Sequence, residues 1–467
     1  MQLTHDRPRG WPMPVEMRRR SVLSLLGSAY TAGYIFLALS VTYAAYIPIP
    51  RFLRGGTKLL IGESDPVGMV ANVVVLLGLF PALWSVRHKL LPVIRPMLPY
   101  VLIILLCIAS SAWSPFPFIS FRKSINLGVC VVFGVYLYLR LGFERSLQVA
   151  LWYTTFAGIV SVIVYFALPD LGKEHDFLGY ENALRGVYAQ KNVVGEAMMT
   201  AQMIVLHRFI TRQSSLAVTV FLGLLFFGIE LMSMSASSVV VTVAAYAVAF
   251  YLYTRDKLRL RLVVMYFGIS VIVAVLAVVI ADPQLVFGAV GRDASLTGRI
   301  PLWHQLIPFV LQKPLLGWGY AGFFNSDLQE LQYVWEMIEW NAPNAHNGYL
   351  DIVIQIGLVG LVLYAWVWSR AIVLIFRILR RPFGTVEYPV VVWATMFMVA
   401  NITVNIDEGP LPYQDEFTML MPLTILGLEA AWRDIRSRAK ARRIIRPRTS
   451  GAPRRLAVAG RMTDVAS

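Results

Sequence analysis

Apolar runs of about 20 residues recur along almost the whole chain, separated by short polar connections. Each is long enough to cross a bilayer as a helix. The first, about 22–46, follows a polar stretch, residues 1–20, that ends in Arg18-Arg19-Arg20. A charged flank before an apolar run has the outline of a signal peptide. This run is too long for one, and further spans follow, so it reads as the first membrane helix. Later runs lie at roughly 66–86, 97–113, 123–140, 146–168, 193–211, 215–233, 236–254, 262–281, 348–369, 388–406 and 416–432, which makes about twelve spans. One connection breaks the pattern: the stretch from about Pro283 to Asn347. Structureless loops of that length are uncommon and usually functional.

Within that stretch the polar pattern gives way to helical periodicity. From Arg299 to Gln312, apolar residues recur at Leu302, Trp303, Leu306, Phe309 and Val310, which predicts an amphipathic helix kinked or interrupted at Pro308. From Asp327 to Trp340 the pattern returns with Leu328, Leu331, Val334, Trp335 and Ile338, and Gly317 to Gly322 between them reads as a tight turn. The expectation is a pair of short helices at the outer interface, shaped as a lid.

Charge orients the spans. One set of connections holds Arg87, Lys89 and Arg95; Arg140 and Arg145; Arg208 and Arg212; Arg255, Lys257, Arg259 and Arg261; and Arg370, Arg377, Arg380 and Arg381. Both termini fall on the same side, which by the positive-inside rule is cytoplasmic. The outer side carries 47–65, 114–122, 169–192, 234–235, 282–347 and 407–415, where Arg51, Arg54 and Lys58 run mildly against the rule.

Composition narrows the class. With 57% hydrophobic residues and a mean hydropathy of +0.62, the 467-residue chain is too apolar for a soluble multidomain protein. The formal charge is +15, and residues 433–467 hold 11 Lys/Arg against 2 acidic residues. Beside a membrane span this tail reads as a cytoplasmic anchor at an anionic leaflet rather than a nucleic-acid arm. The expected organisation is a cytoplasmic N-terminus over 1–20, a transmembrane catalytic domain over 21–432 with its long outer loop at 282–347, and the basic tail. Cys107 and Cys130 both sit in apolar runs, which argues against a disulfide framework or a zinc site.

Candidate chemistry lies outside. Ionisable groups are almost absent at mid-depth: Glu196, Glu230, Asp351, Asp407 and Glu408 fall near outer span ends, and His207 near an inner end. That speaks against an ion-coupled transporter, whose coupling site sits near the midplane. Outer cations are Arg122 and Lys123, Arg185 and Lys191 within Ala183–Asn192, and Arg292 and Arg299. A guanidinium fork suits phosphate; headgroup anchoring fits each of these residues taken singly. His346 falls just before an outer span start, where a neutral imidazole can serve as general base or as a structural, hydrogen-bonded residue. His175 and His304 share the outer side. There is no Asp-x-Asp pair and no clustered His/Cys spacing, and Glu63, Asp65, Glu174, Asp176 and Glu181 are scattered, so no metal or other cofactor is invoked.

Four stretches carry a family resemblance: Ser111-Ala112-Trp113-Ser114-Pro115 before Arg122; Arg185 to Asn192 with Gly195; Gly291 to Arg299 with Trp303 and Pro314 to Gly319; and Ala345 to Leu350 leading into Gly357 and Gly360. In this order the chain resembles, over roughly 100–430, the bacterial O-antigen ligase/polymerase family, in particular its exopolysaccharide-production polymerase branch. The resemblance implies an all-α polytopic membrane protein with a membrane-embedded, GT-C-like architecture. It implies a metal-independent, cofactor-free glycosyltransferase of the bacterial inner membrane with a periplasmic active site. The donor would be an oligosaccharide on undecaprenyl pyrophosphate, and the other partners a glycan acceptor, membrane lipids and a chain-length-regulating copolymerase. The family's two arginines map onto Arg185 and Arg299, and its histidine onto His346; Lys191, Asn192, Arg292 and Arg122 extend the set, with Trp303, Asn347 and Tyr349 as candidate substrate contacts. The expected function is an inverting polymerase joining repeat units, with His346 as base and Arg185 and Arg299 as pyrophosphate clamps; a ligase passing a finished glycan to lipid A core or protein, and a flippase or exporter, are the alternatives.

Overall fold

A computed structural model describes residues 29–43, 66–174, 182–253, 299–325, 328–338, 341–380, 388–409 and 413–445. Every expected span that falls on these residues is helical. The helices are α1 (Ala29–Thr42), α2 (Pro66–Val86), α3 (Leu91–Ala109), α4 (Pro117–Leu141), α5 (Phe143–Ala167), α6 (Lys191–Ile210), α7 (Leu216–Met232) and α8 (Ala236–Tyr253). After the long outer stretch come α9 (Arg299–Gln312), α10 (Gln329–Ile338), α11 (Gly348–Leu379), α12 (Tyr388–Asp407) and α13 (Glu416–Ile445). The expected span 262–281, the outer residues 282–298 with Arg292, and His175 lie outside the described residues.

Among the described residues, seven helices are long and apolar enough to cross a membrane, and three shorter apolar ones, within α1, α7 and α8, accompany them. The chain is an all-α, multi-pass membrane protein. Helix is the outcome physics demands here, because hydrocarbon offers no partner for a backbone amide and an α-helix satisfies its own. Two of the helices, α11 and α13, run further than their apolar runs. α11 continues to Leu379 because Arg370 reaches Glu429 of α13 at 2.6 Å and Arg377 lies over the Trp432 ring at 6.0 Å, so these arginines extend helices rather than fill a loop.

α6 is the most enclosed span, with 72% of its apolar window buried. It packs on α5, α7, α8 and α12, while α11 and α13 pack with α3, α4 and α12. The N-terminus of α6 therefore emerges inside the bundle, ringed by neighbours.

The long segment between α8 and α11 carries the two expected helices. α9 runs through Pro308 without interruption. Its apolar face and that of α10 bury against each other and against Phe323, Phe324, Ala345 and Ile354, forming a second core. Between the two helices, the turn at 314–322 inserts beside a break in α11. Gly357 there has φ 68° and ψ −172°, so α11 is two helices meeting at one non-helical residue. The break frees the carbonyls of Ile354 and Gln355 and the amides of Leu358 and Val359. Trp318 N and Gly319 N donate to those carbonyls at 2.8 and 2.9 Å, and Pro314 O and Leu315 O accept from those amides at 2.9 and 3.2 Å. An unsatisfied backbone group inside a membrane costs several kcal/mol, so these four bonds let a discontinuous span exist. Ala321 N also donates to Gln355 Oε1 at 2.7 Å, and Tyr320 N to Ser110 Oγ at 2.9 Å.

Candidate functional site

The outer end of α12 supplies the hub. Glu408 closes the last turn, its amide donating to Val404 O at 2.8 Å, and its own carbonyl accepts from Gly348 N at 3.2 Å, which docks the start of α11 onto it. The carboxylate is only 4% exposed. Its Oε1 accepts from Arg299 Nη2, at the first residue of α9, and from Asn192 Nδ2 in the first turn of α6 at 2.6 Å. Its Oε2 lies 3.2 Å from His346 Nδ1. One carboxylate thus gathers a guanidinium, an amide and an imidazole from three separated parts of the chain. A buried charge needs such partners to be tolerated.

His346 is held in an unusual backbone conformation, φ 47°. A side chain disfavours that region, and such residues gather at functional sites when their surroundings over-determine them. The surroundings here do. His346 N donates to Asn344 Oδ1 at 2.9 Å, Ala345 N to Asp351 Oδ1 at 2.8 Å, and Trp303 Nε1 to Ala345 O at 2.8 Å. The next residue, Asn347, caps α11, accepting from Leu350 N at 3.0 Å, while its Nδ2 donates to Ile406 O at 3.0 Å.

A second carboxylate sits on the other side of the first turn of α6. Glu174 Oε2 accepts from Lys191 N at 3.1 Å, and its Oε1 pairs with Arg185 Nη1 at 3.4 Å. Arg185 is pinned further by Leu171 O, which accepts from Nη2 at 2.9 Å and Nε at 3.3 Å. Gly186 has φ 58°, and a Cβ there would meet Ser161 Cβ at 2.2 Å, so only glycine lets this loop lie flat on α5. Burial lowers the Arg185 guanidinium pKa, and the Glu174 carboxylate opposes that shift. Lys191 Nζ donates to Met234 O at 3.2 Å.

Arg185, Lys191, Arg299 and His346 are each less than a tenth exposed, and all hang on the first turn of α6 through Glu174 and Glu408. A helix N-terminus presents unsatisfied amides and a partial positive charge. Two guanidiniums and one ammonium add to it, and two carboxylates hold them in place. Such a cluster can bind a diphosphate by charge-assisted hydrogen bonds and stabilise negative charge on it. If Nδ1–H donates to Glu408 Oε2, the lone pair of His346 lies on Nε2, the atom a general base would use.

The remaining candidates divide. Trp303 supports the His346 loop, and Asn347 is a helix cap. The Tyr349 hydroxyl donates into the bundle, to Ile402 O at 2.8 Å. Arg122 lies half-buried on the second turn of α4, a helix that packs with α2, α3 and α13 rather than with α6 or α9. His304 is exposed on α9. Glu408 and Glu174, which organise the cluster, were not singled out from the sequence. An acidic residue at a span end reads there as interfacial, and only its shared side with Arg299 and His346 hinted otherwise.

Residues 219–365, which include Arg299 and His346, match the family described as O-antigen ligase. The exopolysaccharide production protein ExoQ of Rhizobium meliloti is 32% identical over 103 residues, 21% of this chain and 24% of that protein. A Rickettsia conorii protein provisionally named a polysaccharide ligase is 23% identical over 140 residues, 29% of this chain and 34% of that protein. The matches thus span about a quarter and a third of these relatives' lengths.

Proposed function

We propose, from the match of residues 219–365 to the O-antigen ligase family and the similarity to an exopolysaccharide production protein, that the chain joins lipid-linked oligosaccharide repeat units into exopolysaccharide. The donor is a glycan on undecaprenyl pyrophosphate, presented at the periplasmic face of the inner membrane, with both termini of the protein cytoplasmic. Residues 21–432 form the catalytic domain.

The reaction is one displacement. The acceptor hydroxyl attacks the anomeric carbon, the bond from that carbon to the diphosphate oxygen breaks, and the lipid diphosphate leaves with the bonding pair. His346 Nε2 takes the hydroxyl proton. Attack opposite the leaving group inverts the anomeric centre. Arg185, Arg299, Lys191 and the first turn of α6 hold the diphosphate and stabilise the charge that grows on it. Glu408 keeps His346 in the required tautomer and sets its distance from Arg299. General-base help of this kind contributes about 10²- to 10⁴-fold in rate, and positioning two substrates contributes more.

The observation that carries this reading is the convergence of Arg299 and His346 on Glu408, which bonds Asn192 while the Arg185–Glu174 pair bonds the adjacent Lys191. The relatives' names divide between exopolysaccharide production and ligation, so a ligase with the same donor is the second reading. Cells lacking the protein separate the two. A polymerase leaves them with a single repeat unit on the lipid carrier, whereas a ligase leaves them with long lipid-linked chains. Normal polymer and no lipid-linked intermediate would contradict both and favour a non-catalytic role.

A further inference from the structure

The inner end of α6, far from the cluster, holds a feature the reaction does not use. α5 and α7 both pack on α6 but touch each other sparsely. They close on one another around Gly158, where a Cβ would stand 3.3 Å from Ile229 Cδ1. Towards the inner side they diverge, leaving a groove of about 650 Å³ over Val205. That is within the usual range of small-molecule sites, about 300–1,000 Å³.

The groove is amphiphilic along its length. Its walls are Trp152, Phe156 and Ile159 of α5 and Leu222 of α7; its inner rim is Arg208 and the turn from Gln213 to Ser215. The rim is built rather than loose. Arg208 Nη1 donates to Gln213 Oε1 at 3.3 Å and Nη2 to Gln213 O at 3.4 Å. Gln213 Nε2 in turn donates to Glu144 Oε2 at 2.8 Å, and that oxygen lies 3.1 Å from Nε2 of the fully buried His207. The guanidinium at the mouth is thereby tied to a buried pair. Arg212, exposed in the adjacent turn, and Arg145 at the start of α5 add positive charge at the same end.

A slot that is aromatic and aliphatic along its length and basic at one rim complements an amphiphile with an anionic head. We infer that this groove binds one anionic phospholipid of the inner-side leaflet, its acyl chains between α5 and α7 and its phosphate on Arg208. An ordinary lipid-facing surface would take any lipid; a fixed guanidinium above a concave slot discriminates by headgroup charge. Bound there, the lipid would brace the inner end of the helix whose outer end carries Lys191 and Asn192.

The test uses the full chain, purified in mild detergent and offered phosphatidylglycerol or phosphatidylcholine, with retained lipid counted by native mass spectrometry. The expected result is retention of one phosphatidylglycerol in preference to phosphatidylcholine. Arg208→Gln should weaken retention about five-fold or more, the scale of one basic residue at an anionic surface. Arg87→Gln, at the end of α2, should leave it unchanged. Leu222→Trp, which fills the slot and keeps the charge, should also abolish retention, so the inference stays testable if one variant fails to fold. Equal retention of the two lipids by the unaltered protein would overturn it. So would undiminished phosphatidylglycerol on folded Arg208→Gln or Leu222→Trp, or a preference for polyprenyl phosphate in the same groove.

Discussion

At the scale of single residues, the chemistry turns on Glu408 as much as on His346. A carboxylate that bonds Nδ1 fixes which ring nitrogen carries the lone pair. Glu408→Gln keeps the shape and removes the negative charge that pairs with Arg299. The expected outcome is markedly slower polymer formation by a variant that still folds in the membrane. Polymer formation at the unaltered rate would mean Glu408 only holds the fold. The residues differ in how legible they were. Arg185, Arg299 and His346 stood out because the family's motifs map onto them; side-chain chemistry alone left headgroup anchoring and a structural histidine open. Glu408 and Glu174 did not, because a carboxylate gains its meaning from the cations around it, and those come from distant segments.

At the scale of elements, α11 is the unusual one. Periodicity marked it as one ordinary apolar span, and nothing in the pattern of 348–369 announces a break. The signals were local glycines, Gly357 in the span and Gly317 and Gly319 in the turn, whose pairing requires the three-dimensional fold. Gly357 combines a positive φ with a neighbour that leaves no room, since a Cβ would meet Leu315 O at 2.1 Å. Gly357→Ala should therefore destabilise the protein by about 2 kcal/mol or more, from backbone strain plus the lost insertion. Gly223 in α7 has nothing within 4 Å of such a Cβ, so Gly223→Ala should unfold at or slightly above the unaltered temperature. Thermal unfolding in detergent, read by loss of the monodisperse peak, checks both; an unchanged midpoint for Gly357→Ala would contradict the account of the break. The amphipathic helices α9 and α10 were legible to within a residue or two, because period 3.6 survives in any setting. Their destination was not: the same apolar faces suit lipid or each other, and the structure pairs them.

At the scale of the whole molecule, long apolar runs made the class readable, since a span through hydrocarbon depends on them. The orientation that the basic connections predict has a direct consequence. Cys107 and Cys130 are buried, so single cysteines introduced at the exposed Gln329 and Ser437 report the two faces separately. An impermeant thiol reagent should label Gln329→Cys in intact spheroplasts and Ser437→Cys only after permeabilisation; the reverse pattern would invert the topology and remove the site from the periplasm. The central claim is that cations around the first turn of α6 and one imidazole act together on a lipid-linked diphosphate sugar. It is tested most directly by reconstituting the purified protein in liposomes with a lipid-linked repeat unit and measuring released lipid diphosphate against polymer length. The account predicts release in step with chain growth, reduced about 10²-fold or more by His346→Ala and strongly by Arg185→Ala or Arg299→Ala, with all three variants still folded in the membrane. Release and polymer at unaltered levels from folded His346→Ala would contradict it.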